Sequence, residues 1–142
     1  MIEKIYCKDK LFAIIVRRTY NLPGVNFVTS DDLSQQLAYI RHSKGKIIEP
    51  HSHNSVLREV KNTQEVLFIK KGKLRVDFYT EDREYLESKI LIGGDVILLI
   101  QGGHGFEVLE EIEMFEVKQG PYVGDQDKTR FTPSSNKGNN DG

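Results

Sequence analysis

The chain has 142 residues, enough for one domain with a substantial core and too few for two of ordinary size. Twenty Lys and Arg stand against 21 Asp and Glu, a formal net charge of -1. No whole-protein field therefore draws in phosphate backbones or anionic lipid, which argues against nucleic acid or a membrane surface as a partner.

The longest apolar run near the N-terminus, 11–16, is far shorter than the roughly 20 residues that span a bilayer. Glu3, Lys4, Lys8, Asp9 and Lys10 mix both signs ahead of it, unlike a secretory leader, so a soluble cytoplasmic protein is expected. Cys7 is the only cysteine, which excludes an internal disulfide and suits a reducing compartment. With no basic or histidine neighbour in sequence to activate it, it reads as a partly buried bystander thiol.

In chain order, short apolar runs and alternations broken by Gly, Asp and Asn predict strands over 11–17, 36–42, 46–53, 64–70, 74–80, 85–91, 96–100, 104–109 and 112–118. Thr29 or Ser30 followed by Asp31 and Asp32 predicts one short helix. Between Val66 and Leu91 the pattern reads strand, Lys71-Gly72 turn, strand, charged turn at Glu81 to Arg83, strand, an antiparallel meander. Within it Leu74, Val76 and Phe78 are expected inside, with Arg75, Asp77 and Tyr79 facing solvent. Many short, evenly spaced strands give an all-β sandwich or barrel. The tail 132–142, rich in Ser, Asn, Gly and Pro, lacks the apolar surface to offset ordering and is expected to be disordered.

Two of the four histidines, His51 and His53, stand two apart in a segment that reads as a strand end. Side chains at i and i+2 of a strand share a face, so inside a barrel the two imidazoles converge as a metal site requires; in a polar stretch such a pair suits an exposed loop equally. Glu65 opens the next strand and His104 follows the Gly102-Gly103 turn, both placed to face the pair across a closed barrel. If these groups are buried, a cation or ligand must satisfy them.

The spacing resembles the cupin family in both of its signature stretches. Gly45, five residues, His51-Ser52-His53, a gap, Glu65, six residues and Gly72 match the first. Gly94-Asp95, an apolar strand 96–100, Gln101-Gly102-Gly103 and His104 match the second. The resemblance covers about 45–118. It implies a double-stranded β-helix, a jelly-roll barrel over 45–131, with His51, His53, Glu65 and His104 around one divalent ion. Residues 1–44 would then pack on the barrel or on a partner.

Eleven residues separate His53 from Glu65, where the family has only a few, and Ile100 stands in place of the usual Pro. The longer loop is expected at the barrel mouth, where Arg58, Glu59 and Lys61 meet an anionic or polyhydroxy ligand. Phe106, two residues after His104 and so on its face, is a second expected substrate contact. His42 is assigned no role.

An imidazole and carboxylate set accepts Fe, Mn, Ni, Co or Zn. The leading expectation is a metal-dependent enzyme acting on a small oxygen-rich molecule such as a sugar or keto acid, by isomerisation, epimerisation or oxygen-dependent oxidation. The chain also looks like the metal-free nucleotide-sugar ketoisomerases and epimerases, which would make His51 and His53 the catalytic acid–base candidates. Their usual Gln at the position of Glu65 argues the other way. A non-catalytic small-ligand-binding cupin is the third expectation. Because the run 11–16 is apolar on both faces, it is expected to be covered in a homodimer.

Overall fold

The computed structural model describes residues 1–133, so all but the first two residues of the tail expected over 132–142 lie outside the described residues. Within them the chain is all-β: β1 (Ile2–Cys7), β2 (Lys10–Val16), β3 (Gly24–Phe27), β4 (Ala38–Arg41), β5 (Glu65–Tyr79), β6 (Tyr85–Ile92), β7 (Val96–Leu99), β8 (Gly103–Lys118) and a 3-10 turn at Gly124–Asp127. The main sheet runs β1-β2-β7-β5-β6 with β8 on the other side of β5, all antiparallel, and β3 and β4 form a separate hairpin. The sheet curls into an antiparallel half-barrel, the architecture expected of a barrel or jelly roll.

The curl comes from β5. Its first half pairs with β7 and its second half with β6, so one strand builds two walls. The predicted Lys71-Gly72 hairpin turn is instead a bulge inside this strand, where the β5–β8 register shifts three times between Ile69 and Leu74. Before the bulge the inward residues are odd, Leu67 and Ile69; after it they are even, Leu74, Val76 and Phe78, all at most 1% exposed. A change of parity without a bulge would have turned one half of the apolar set to solvent. The two strands predicted over 104–109 and 112–118 fuse into β8 for the same reason: they pair with β5 on both sides of its bulge.

Arg75, Asp77 and Tyr79 face away from the core as expected, yet they are buried, at 2%, 2% and 6% exposure. Arg75 Nε donates to Asp77 at 3.0 Å and an Nη to Glu107 at 3.2 Å, while the Ser88 hydroxyl donates to Asp77. Pairing of this kind is what allows charge to leave water. The rings of Tyr85 and Phe131 pack edge-on against Tyr79.

β2 is covered on both faces, as its apolar run requires, but within its own chain. Ala13 and Ile15 join the inner core with Leu67, Ile97 and Leu99. Ile14 packs with Leu98 and Ile100 beneath Val28, Leu33 and Leu37 from the region of β3 and β4. Two expectations fail locally. No helix forms after Ser30, because side chains take over the backbone: Gln36 Nε2 donates to the carbonyls of Ser30 and Leu33, and Thr29 to Gln36. No strand forms over 46–53, where Ile47 and Ile48 are adjacent and so cannot share a face, and Pro50 withholds a ladder donor.

At the sheet's edge Arg17 forks onto Glu3, with Nε at 2.7 Å and Nη2 at 3.1 Å, and holds the Glu3 carboxyl down from 4.5 to about 2. A carboxyl whose folded value is depressed stabilises the fold above its unfolded value and loses that contribution as pH falls toward the folded one. The melting temperature is expected to fall between about pH 4.5 and 2. Glu3→Gln should flatten that slope, as followed by circular dichroism; an unchanged slope would remove this pair from the acid response.

Candidate functional site

The curl brings the two ends of β5 together at the open mouth of the half-barrel. Glu65, the first residue of β5, lies between Leu99 of β7 and Lys118 of β8. His104 pairs with Phe78 near the other end of β5. The turn before His104 is seated on the core: a side chain at Gly102, φ +80°, would strike the Phe12 ring at 2.3 Å, and Gln101 Nε2 donates to the Leu11 carbonyl at 3.1 Å.

There His104 Nε2 meets Glu65 Oε1 at 2.9 Å, with side-chain exposures of 30% and 11%. Directly opposite residues of paired strands share a face, so Glu116, across from Leu67, and Lys118, across from Glu65, point into the same mouth. The imidazole of His104 holds the Glu65 carboxyl below its ordinary range, outweighing burial. The hydrogen bond to Glu65 raises Glu116, with burial adding in the same direction, so of the two carboxyls Glu116 is the weaker acid. Asp127, held by Thr63 Oγ1 at 2.8 Å and Lys118 Nζ at 3.1 Å, straps the 3-10 turn across the rim.

These groups border a cavity of about 920 Å³, with Lys61, Lys128 and Arg130 as its other cations and Tyr79, Phe106 and Phe131 as its aromatic wall. Phe106 lies beside His104, its ring 5.4 Å from the imidazole. Lys61 also lines the cavity, whereas Arg58 lies on the exposed segment 42–63 and does not.

His51 and His53 lie on that exposed segment too. Their rings meet edge to face at 5.4 Å, and His51 Nδ1 lies 2.9 Å from the Glu49 carbonyl. The four predicted ligands thus form two pairs, Glu65 with His104 and His51 with His53. Among the described residues no group of three His, Cys, Asp or Glu side chains is placed to hold a metal ion.

Glu116, Lys118, Lys128 and Arg130 were not anticipated. For the first two a signal existed: in the alternation over 112–118, Met114, Glu116 and Lys118 fall on one face, and that face is the one Glu65 and Leu67 share. Lys128 and Arg130 lie past the last strand, where no periodicity marks them. Comparison of the chain with protein-family models, with curated proteins and with solved structures gave no match.

Proposed function

We propose that this chain is a metal-binding cupin whose barrel mouth takes a small, oxygen-rich anion such as a sugar acid or keto acid. One observation carries the reading: the 2.9 Å contact of Glu65 with His104 at the mouth of a large cavity, with Glu116 against the same carboxylate. A carboxylate and an imidazole side by side at a cavity mouth are two donors of the kinds a divalent cation takes. His51, His53, Glu65 and His104 would hold the ion, one of Fe, Mn, Ni, Co or Zn. When bound, it supplies Lewis acidity toward a carbonyl or hydroxyl oxygen.

The chain's own residues do the rest. Lys61, Lys128 and Arg130 attract and orient an anionic substituent, and Phe106 and Phe131 exclude water from the wall. Glu116, its carboxyl raised above the ordinary range by its neighbour Glu65, is placed to exchange a proton at the mouth. A reducing cytoplasm suits the single, partly buried Cys7.

The test is elemental analysis of the purified protein beside a His104→Ala, Glu65→Gln variant. Near-stoichiometric metal is expected in the wild type, with at least a tenfold loss in the variant. No metal after reconstitution would overturn the reading. The second reading, acid–base isomerisation of a keto sugar without metal, has the same contact in its favour, because a carboxylate at 2.9 Å orients an imidazole. Metal-free protein that retains isomerase activity would establish it.

A further inference from the structure

The segment 42–63 and the strand β8 are each incomplete in one chain. Every residue of the segment is exposed, although it carries Ile47 at 80%, Ile48 at 64%, Val56 at 59% and Leu57 at 100% exposure. Apolar side chains presented this way along an unpaired stretch mark a docking element. β8 shows the complementary feature: 16 residues paired only to β5 among the described residues, so its outer edge of N–H and C=O groups is open. It exposes Phe106, Val108, Phe115 and Val117 at 41–62%. A long, partly apolar open edge is a template for an added strand.

We propose that the segment 42–63 of one copy pairs along the outer edge of β8 in a second copy, so that its His51 and His53 complete the site begun by Glu65 and His104 of the other chain. The inference rests on the metal-centre reading for its ligand set and on the sheet edge for its geometry.

Charge favours the match. The segment has Lys44, Lys46, Arg58 and Lys61 against Glu49 and Glu59, whereas β8 has Glu107, Glu110, Glu111, Glu113 and Glu116 against Lys118. Glu107, Glu110 and Glu113 face Arg75, Lys73 and Lys70 of β5, while Glu111 sits at the bulge without an ion pair among the described residues.

The tethers keep the segment off its own sheet. Arg41 is bonded to Asn21 beside the β3–β4 hairpin, and at the other end Thr63 is bonded to Asp127 and Gln64 to Gln35 and Gln119 at the mouth. Between these anchors the apolar residues meet none of their own core. A two-fold exchange then converts two half-sites per chain, each already assembled, into two complete sites per dimer.

Mixed dimers test this. His51→Ala, His53→Ala and Glu65→Gln, His104→Ala chains with different tags are co-expressed, the doubly tagged species is isolated, and Co²⁺ is added to metal-stripped protein and counted after dialysis. The expected result is one Co²⁺ per wild-type chain, at least a tenfold loss in each variant alone, and one Co²⁺ per two chains in the mixed species. A mixed species without Co²⁺, or wild-type protein that binds Co²⁺ as a monomer at micromolar concentration, overturns the exchange and leaves the metal centre standing.

If the wild type takes no Co²⁺, the metal reading fails and size decides the exchange. Ile47→Glu, Leu57→Glu, at side chains that pack on nothing in the single chain, should convert dimer to monomer. A dimer that survives those substitutions, or a monomeric wild type, overturns the exchange.

Discussion

Asp95→Ala is expected to lower the unfolding free energy by about 3–5 kcal/mol, the magnitude of removing one partner from a buried charge network. The side chain is 1% exposed and fully engaged. Its Oδ1 accepts the Arg18 N–H at 2.8 Å; its Oδ2 accepts the Ile92 N–H at 2.8 Å and Arg17 Nη1 at 3.1 Å. One carboxylate thereby ties the end of β6 and the start of β7 to the chain just past β2. Truncation leaves two backbone donors and a guanidinium group facing an apolar gap. Asp95→Asn keeps the volume but presents a donor where only donors face it, so an intermediate loss of about 1.5–3 kcal/mol is expected. Urea denaturation checks both through a shifted midpoint at unchanged slope. A loss under about 1 kcal/mol for Asp95→Ala would mean that the network is dispensable.

The same residue shows how a sequence motif divides into chemistry and scaffold. Gly94-Asp95 was legible as part of a stretch ending in His104, and the structure gives Asp95 to the scaffold and His104 to the mouth. The inward set Leu74, Val76 and Phe78 was legible because a half-buried strand repeats every two residues.

What escaped was whatever breaks that period. A glycine between two alternating runs looks alike as a hairpin turn and as a bulge, and only the pairing of β8 along the whole of β5 distinguishes them. Arg75 and Asp77 read as surface because burial of an ion pair depends on partners such as Ser88 and Glu107, which other strands bring alongside. The juxtaposition at the candidate site was half legible for a related reason. Glu65 and His104 lie on strands, where position fixes direction, whereas His51 and His53 lie on a segment whose apolar residues find no surface in a single chain.

Gly72→Ala should disrupt fold and site together. Gly72 has φ +100°, and a methyl group there would stand 2.0 Å from the Glu111 carbonyl oxygen and 2.8 Å from its carbon. Both obstacles are backbone of the paired strand and cannot rotate aside. Strain at positive φ adds about 1–3 kcal/mol and enforced overpacking a further 1–3 kcal/mol, so a loss of about 2–6 kcal/mol is expected. Gly45→Ala is the control: its φ is +92°, but nothing lies within 4 Å of the added carbon, so only the strain, about 1–3 kcal/mol, remains. A larger loss at Gly72 than at Gly45 therefore measures the contact between the bulges of β5 and β8. Equal losses would show that the bulge opens at little cost.

The consequence reaches the mouth, because the bulge sets both the parity that turns Leu67 and Leu74 to the same core and the bend that returns Glu65 to His104. Any Gly72→Ala protein that still folds is expected to lose the 2.9 Å contact and, with it, any metal binding of the kind proposed for the mouth. Gly45→Ala, which leaves β5 untouched, should keep the contact.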